Sequence, residues 1–213
     1  MGRRALRAPP AEEDFYRWQR TRLGYLMDGD EPAGGRWNFD DQNREPPPKE
    51  GSPWPEPVRS TLDDVDRAVL DDIGPAGFGA DPVGWWPTSR RMALARLRHA
   101  VDRVLPMFGP HEDVIVERSW HVAHTLLSPA LNIGLLLPGE VADAAEIAYR
   151  EGRVPIASAE GFVRQVIGWR EYVWGTYWRS MPGYDERNAL RARQPLPVAF
   201  RDGSKTDMRC SLI

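Results

Sequence analysis

Apolar side chains recur at roughly helical spacing near the beginning of the chain. Phe15, Trp18, Leu23 and Leu26 form this pattern, and arginines stand between them. Such spacing places the apolar residues on one face of a helix, which is typical of helices that pack against a core. Because an Asp-Gly-Asp sequence follows, we expect this first helix to cover residues 12–27.

Prolines interrupt the helical pattern over residues 31–57. Seven of them fall in this stretch, together with the glycine pair Gly34 and Gly35. This composition is incompatible with a helix or a central strand. The stretch nevertheless contains Arg-Trp-Asn-Phe-Asp at residues 36–40, and two aromatic side chains so close together are unusual in a free linker. We therefore expect an ordered loop that wraps a partner surface.

Two helices are predicted after this loop. The sequence Ser-Thr-Leu-Asp at residues 60–63 opens a short helix that stops at Gly74, with acidic residues near its N-terminus, where the helix dipole favours them. Thr88 or Ser89 is expected to cap the next helix, and Pro106 with a following Gly-Pro pair is expected to end it. The apolar side of this second helix consists of Met92, Leu94, Ala95, Leu97, Val101, Val104 and Leu105.

The second half of the chain is predicted to be helical as well. A helix that opens at Pro138 and stops at Gly152 follows the usual preference for proline at a start and glycine at an end. Residues 114–116 are predicted as a short strand or an extended segment. No alternation of polar and apolar residues is long enough to indicate a sheet, so the predicted fold class is all-α. The four helices expected here cover residues 121–127, 129–136, 138–152 and 158–180.

Charge and cysteine content narrow the class of protein. The chain has 28 basic and 31 acidic residues and a net charge of -3, which argues against a protein that coats nucleic acid by charge alone but permits a local basic groove. Cys210 is the single cysteine and cannot form an internal disulfide. Residues 1–10 lack the apolar segment of a signal peptide, and no apolar run is long enough to cross a membrane. A cytoplasmic protein without a membrane partner is expected.

The predicted helix over residues 158–180 carries a wide apolar arc. Arg170 lies inside this arc, where an unpaired charge would be very costly. Its acceptor is either a carboxylate elsewhere in the core, which is the more common arrangement, or an anionic ligand in a cavity bordered by nearby aromatic residues. The arc consists of two neighbouring stripes. One stripe is Phe162, Val166, Trp169, Val173 and Tyr177. The other is Val163, Ile167, Arg170, Trp174 and Trp178.

A second candidate site lies in the sequence His-Thr-Leu-Leu-Ser-Pro-Ala-Leu-Asn at residues 124–132. Thr125 and Ser128 flank a leucine pair just before a proline that can open a helix. Hydroxyl groups and free backbone N–H groups at a helix start can bind an anion, although an ordinary helix cap is their more common role. His121 and His124 would share one helix face, but no third ligand is near, so zinc is not expected. Glycine-rich phosphate loops and serine-hydrolase elbows are absent from the sequence.

Five stretches of the chain form a recognisable set. They are residues 15–18, residues 34–40 with Asn43 and Arg44, residues 126–129 with Leu131 and Asn132, residues 160–172, and residues 206–210. This set resembles the iron–sulfur bacterial cryptochrome and photolyase family, which includes prokaryotic (6-4) photolyases. The stretches occur in the family's order and span almost the whole chain. One departure is Ala130, where the family usually has an aromatic residue.

The resemblance implies the N-terminal part of a helical FAD-binding domain, preceded by a proline-rich interdomain loop. Residues 1–59 would form a connector helix and this loop, and residues 60–213 would begin the FAD-binding domain. In the family, light drives an electron from reduced flavin into a (6-4) pyrimidine lesion flipped out of the DNA. Damaged DNA is therefore the implied partner, and light-driven repair is the implied activity.

The resemblance also implies roles for individual residues. Thr125 and Ser128 would donate their hydroxyls to the FAD pyrophosphate, and Cys210 would be one of four thiolate ligands of a [4Fe–4S] cluster. His124, Leu126 and Leu127 would line this phosphate turn. Gln165, Trp169 and Arg170 would face the flavin pocket or the lesion entrance.

Much of the family's pattern has no match in this chain. The antenna-binding domain, the lesion-site histidine, the electron-relay aromatics and three cluster cysteines lack counterparts. We therefore expect a fragment that is inactive alone, binds neither FAD nor the cluster in isolation, and exposes apolar faces. One alternative is a fragment of a cryptochrome-type blue-light receptor. Another is a helical protein-interaction module without a cofactor, anchored by Trp174, Tyr177 and Trp178.

Overall fold

The computed structural model describes residues 11–49, 54–74, 84–184 and 186–205. Contacts along the backbone divide the chain into two units, Met1–Trp174 and Gly175–Ile213. Helices dominate the described residues, so the predicted all-α class is confirmed. In the part of the chain that is described, no helix combines the length and the apolar character needed to span a membrane.

The first helix, α1, covers Glu12–Leu23 and ends earlier than the sequence predicted. Gly24 follows in the left-handed conformation, with a φ of 80°, and its N–H bonds to the carbonyl oxygen of Arg20. This arrangement closes a helix C-terminus, because glycine adopts that conformation without steric cost. Two short antiparallel strands follow, β1 at Met27–Asp28 and β2 at Glu31–Pro32.

Helices α2 (Asp64–Ile73) and α3 (Arg90–His99) begin where the sequence predicts. The Asp63 carboxylate accepts the N–H of Asp66, and the Asp66 carboxylate accepts the N–H of Asp63 in return. Ser89 caps α3 by accepting the N–H of Met92 at 3.4 Å. Both starts depend on short-range contacts, which explains why the local sequence is sufficient to locate them.

Helical structure continues past Pro106, so the predicted end of the second helix is wrong. A π-helical segment, Ala100–Val104, leads directly into helix α4 at Leu105–His111. Pro106 lies in the first turn of α4, directly after the wider π turn, a position in which proline is tolerated. The continuation carries Glu112 to the same region as the turn over residues 124–128.

The remaining helices are α5 (Ser128–Asn132), α6 (Pro138–Arg150), α7 (Ile156–Val163) and α8 (Arg170–Ser180), with a π-helical segment, Arg164–Trp169, between the last two. The predicted helix over residues 121–127 is wrong. Val122 and Leu126 have φ angles of 39° and 55°, which no α-helix permits. Val122 is buried in a small cluster with Trp54, Val114 and Ala123, so tertiary packing overrides the local helical preference. Within the second unit, the short 3-10 turns are Val198–Phe200 and Gly203–Lys205.

Helices α4 and α7 approach each other closely in the core of the first unit. The backbone N–H of Gly109 donates to the Ser158 hydroxyl at 2.9 Å. A Cβ atom at position 109 would lie 2.9 Å from the backbone nitrogen and Cα of Ser158, so only glycine allows this approach. Phe108 and Phe162 then meet edge to face, with ring centroids 5.6 Å apart. This contact sets the spacing of the two helices beside the candidate site.

The proline-rich loop is ordered where the structure describes it, and it packs against α7. The Phe39 ring and the Asn43 side chain are buried. The backbone N–H of Phe39 donates to the Glu160 carboxylate at 3.0 Å, and Asn43 Nδ2 donates to the carbonyl oxygen of Ala157 at 3.4 Å. The loop is therefore anchored by hydrogen bonds to two residues of α7.

Candidate ligand-binding site

A cavity of about 440 Å³ opens in the first unit, where the end of α4, the turn before α5 and helix α7 come together. This volume is within the range of roughly 300–1,000 Å³ typical of small-molecule sites. Six of the eight residues predicted to contact a cofactor line it. The lining residues are Phe108, Glu112, Asp113, His124, Thr125, Leu126, Leu127, Ser128, Phe162 and Gln165.

The turn over residues 124–128 forms one side of the cavity and presents two hydroxyl groups. His124 Nε2 donates to the carbonyl oxygen of Glu112 at 3.1 Å, and this bond fixes the turn to the end of α4. Leu127 is buried, which holds the left-handed conformation of Leu126 in place. Thr125 is half-buried and Ser128 is exposed, and no residue that the structure describes engages either hydroxyl. Both hydroxyls are free to meet a ligand.

Ser128 is the first residue of α5 and does not cap that helix. The cap position belongs to Leu127, whose side chain makes no capping hydrogen bond. An ordinary capping role therefore does not explain the serine. Helix α5 has only five residues, so its dipole contributes little, and any anion recognition here depends on hydroxyl and amide donors.

Gln165 brings the long helix into the same cavity. It lies in the π-helical segment Arg164–Trp169, and its side chain is exposed to the cavity region. Widened π turns of this kind are frequent at functional sites. Trp169, at the end of the segment, is 45 % exposed but does not line the cavity.

Arg170 meets the turn region through the far end of α5. Its Nη1 donates to Oδ1 of Asn132 at 2.9 Å, and its Nη2 donates to the carbonyl oxygen of Leu131 at 3.4 Å. The sequence suggested either a core carboxylate or an anionic ligand as the acceptor for Arg170. The observed acceptors are neither of these. These bonds hold the start of α8 against α5, the helix that follows the hydroxyl-bearing turn. Arg170 does not line the cavity itself.

A buried ionic network lies next to the cavity and joins α1, the proline-rich loop and α7. Its centre is Glu160, which is fully buried. The Tyr16 hydroxyl donates to Glu160 Oε1 at 2.8 Å, and Arg164 Nε donates to the same oxygen at 3.2 Å. Burial, together with the charge of Glu160, raises the pKa of the Tyr16 phenol well above its ordinary value. The tyrosine therefore stays a donor at all working pH values.

Glu112 connects this network to the cavity. Its side chain is only 6 % exposed and approaches Arg164 Nη2 at 3.5 Å. Burial raises the pKa of the Glu112 carboxyl to about 7, while the nearby charge of Arg164 opposes the shift. A Cβ atom at Gly161 would lie 2.9 Å from Glu112 Oε2, so a side chain at this position would displace the carboxyl.

Four lining residues have no counterpart in the sequence-based site: Phe108, Glu112, Asp113 and Phe162. The two phenylalanines occupy ordinary core positions of their helices. The two acids follow a helix whose predicted end was Pro106. Only the tertiary packing of α4 against α7 brings these four residues to the turn.

The donor set fits a ligand with an apolar body and an anionic group. Two free hydroxyls and one amide can donate or accept hydrogen bonds, and leucine and phenylalanine side chains supply apolar walls. FAD has this combination. The described residues contain no grouping of three or more metal-ligating side chains.

An iron–sulfur cluster does not fit this chain by itself. Cys210 lies outside the described residues, and it is the only cysteine of the sequence. A [4Fe–4S] cluster needs four thiolate ligands, so this chain supplies at most one of them.

Comparison with known proteins identifies relatives of the chain. The family model for deoxyribodipyrimidine photo-lyase-related protein matches residues 4–80. A (6-4) photolyase of Agrobacterium fabrum (strain C58 / ATCC 33970) is 39 % identical over 206 residues, which cover 93 % of this chain and 39 % of the relative. The chain thus spans less than half the length of the relative that it matches. On these two similarities, which together extend over nearly the whole sequence, the chain belongs to the photolyase-related family.

Proposed function

We propose that this chain supplies one wall of the flavin site of a light-driven DNA photolyase. The observation that carries the proposal is the single cavity that joins the Thr125–Ser128 turn to Gln165 of the long helix. In this assignment Thr125 and Ser128 donate hydrogen bonds to the FAD pyrophosphate. His124, Leu126 and Leu127 shape the turn, and Gln165 faces the flavin.

Trp169 and Arg170 are proposed to border the flavin pocket or the lesion entrance. Trp169 offers an exposed aromatic face that a flipped base could stack on. Arg170 has donors beyond the two that bind Asn132 and Leu131, and these can meet a phosphate. When bound, FAD would absorb the light and supply the electron that repairs the lesion. This chain's own residues bind and orient the cofactor.

The substrate class is proposed to be DNA that carries (6-4) pyrimidine lesions. Support comes from the relative, which is named as a (6-4) photolyase. A cryptochrome-type light sensor would use the same flavin wall, and the name of the relative favours repair. Residues 1–59 are proposed as connector helix and interdomain loop, and residues 60–213 as the first part of the FAD-binding domain. A [4Fe–4S] cluster would need three cysteines beyond Cys210, and a cytoplasmic location stays a prediction from sequence.

Flavin binding by the purified chain tests the proposal. Because the chain supplies one wall of a larger site, we expect no flavin to be retained through gel filtration and no repair activity. Equilibrium dialysis at high ligand concentration should still detect weak binding of FAD. Riboflavin lacks the pyrophosphate and should bind about tenfold more weakly, because hydrogen bonds to a charged group contribute roughly 1.5–3 kcal/mol.

The double variant T125A/S128A should lose this preference for FAD over riboflavin. T21A is the matched control, since the described partner of the Thr21 hydroxyl is the Arg17 carbonyl on the exposed side of α1. Equal affinities for the two flavins in the wild-type chain, or an unchanged preference in the double variant, would show that the turn is not a pyrophosphate site.

A second candidate function, a helical interaction module, is favoured by the exposed aromatic face of α8. Trp174, Tyr177 and Trp178 are all more than half exposed. Exposed tryptophan and tyrosine side chains are common anchors in protein interfaces. The interaction-module function is favoured if the chain binds no flavin at any concentration in the dialysis experiment.

A further inference from the structure

Three carboxylates share one guanidinium beside the cavity. Arg164 lies 3.2 Å from Glu160, 3.4 Å from Asp40 and 3.5 Å from Glu112. Arg44 also pairs with Asp40, so two guanidinium charges stand against three carboxylates in a partly buried cluster, where each uncompensated charge is costly. A proton on one of the three carboxylates would relieve part of this excess.

Hydrogen-bond donors decide which carboxylate takes the proton. Glu160 receives the Tyr16 hydroxyl, the Phe39 backbone N–H and Arg164 Nε. These donors favour its ionised form.

The other two carboxylates differ in the donors that reach them. Asp40 is paired with Arg44 as well as with Arg164. Glu112 receives only distant donors, with Asn43 Nδ2 and Arg164 Nη2 each 3.5 Å from Oε1. Its Oε2 is buried and accepts no hydrogen bond from any residue that the structure describes. Glu112 is therefore the member of the cluster best placed to hold a proton.

A proton on Glu112 also has an acceptor nearby. The Asn43 Oδ1 atom is buried and unpaired among the described residues. Rotation of the Asn43 amide about its Cβ–Cγ bond would exchange Nδ2 for Oδ1 beside the Glu112 carboxyl. The amide oxygen would then accept the proton that the carboxyl carries.

Glu112 lines the cavity in which we place the flavin pyrophosphate. Asp113 lines it too, and no lysine or arginine among the described residues does. An ionised Glu112 would repel an anionic ligand there, and the repulsion is strong because the side chain is shielded from water. A neutral Glu112 would remove this barrier.

We propose that Glu112 controls the charge of the cavity, so that an anionic, phosphate-bearing ligand binds more tightly when this carboxyl is protonated than when it is ionised. The inference rests on the proposed function for the identity of the ligand. Glu112 acts on the ligand through its charge, so it is a specificity-determining residue.

The titration of Glu112 agrees with the geometry, because burial raises the pKa of this carboxyl to about 7. The ionisation then falls within the physiological pH range. Asp113 and Asp40 raise the pKa further, and Arg164 and the Asn43 hydrogen bond lower it. The charged and titratable groups around Glu112 come from several elements. Arg164 comes from the π-helical segment, Glu160 from α7 and Asp40 from the loop. Asp113 is the next residue in the chain, and the His124 ring is bonded to the Glu112 carbonyl oxygen.

The experiment compares FAD affinity of the full chain at about pH 5.5 and about pH 8.5, on either side of the expected titration. The pyrophosphate of FAD keeps its charge across this range. The wild-type chain should lose affinity by about tenfold or more between the two pH values, since one ionisation is coupled to binding. E112Q should bind FAD with the same affinity at both pH values and match the protonated wild type. D113N is the matched control: it removes the neighbouring carboxylate from the cavity wall and should keep the pH dependence.

Each outcome decides a separate point. FAD binding with the same pH dependence in wild type and E112Q would overturn the role of Glu112 and leave the flavin site standing. No FAD binding by any of the proteins at either pH would overturn the flavin site, and the role of Glu112 with it. Circular dichroism of E112Q verifies that the variant is folded before the comparison is made.

Discussion

Replacing Glu160 with alanine is expected to lower the free energy of unfolding by about 3–5 kcal/mol, as breaking a buried ion pair does. The variant would leave the Tyr16 hydroxyl, the Phe39 backbone N–H and the Arg164 guanidinium without the carboxylate that they share. Because Glu160 is fully buried, water cannot replace the lost acceptor. The loop that carries Phe39 should also loosen.

Urea denaturation followed by tryptophan fluorescence measures this loss. E160Q keeps one acceptor oxygen and should fall between the wild type and E160A. D41A is the control: Asp41 pairs with Arg36 in the same loop, but both side chains are exposed, so the cost should stay below about 1 kcal/mol. If E160A and D41A destabilise the protein equally, the network does not hold the loop.

The second large effect is expected for Arg20, a fully buried arginine. Its guanidinium donates to three backbone carbonyls, those of Leu26 and Trp37 at 2.7 Å and that of Tyr25 at 3.3 Å. R20M keeps the apolar stem but leaves these oxygens unpaired. We expect a loss of about 3 kcal/mol or more, since each buried unsatisfied group costs roughly 1–3 kcal/mol.

Thermal and urea unfolding of R20M test this expectation, and R22M is its control. Arg22 has an exposed position on α1, hydrogen-bonds to Gln19 and lies over the Trp18 ring. Its replacement leaves one side-chain oxygen without this donor, where that of Arg20 leaves three backbone carbonyls, so R22M should cost clearly less than R20M. Hydrogen exchange of residues 25–37 should accelerate in R20M alone. Unfolding of R20M at the same denaturant concentration as R22M would contradict the structural role given to Arg20.

Helix starts could be predicted from sequence where a side chain bonds to its own first turn. Asp63 ends the Ser-Thr-Leu-Asp stretch that was expected to open α2, and Ser89 was one of two expected caps of α3. Both cap their helices in the structure. The end at Pro106 was predicted wrongly, because proline breaks a helix interior but is tolerated in a first turn. The preceding π-helical segment, which gives Pro106 that position, has no signature in the local pattern.

The predicted site residues that lie together in the structure are those carried by short motifs. The hydroxyl-bearing turn and Gln165 were recognised from their resemblance to a family, and the structure brings them to one cavity. Glu112 was missed because its importance comes from burial against Gly161 and Arg164, which are distant in sequence. The role of Glu160 was missed for the same reason, although it lies in a stretch that the resemblance singled out.

The most direct test of the central claim locates the bound cofactor on the chain. Backbone NMR signals of the isotope-labelled chain would be followed while FAD is added, with riboflavin in a parallel titration. We predict that FAD shifts the amide signals of residues 124–128 and of Gln165, and that riboflavin leaves those of Thr125 and Ser128 nearly unchanged. Shifts confined to the aromatic face of α8, or no shift at residues 124–128, would contradict the assignment of this cavity to the flavin pyrophosphate.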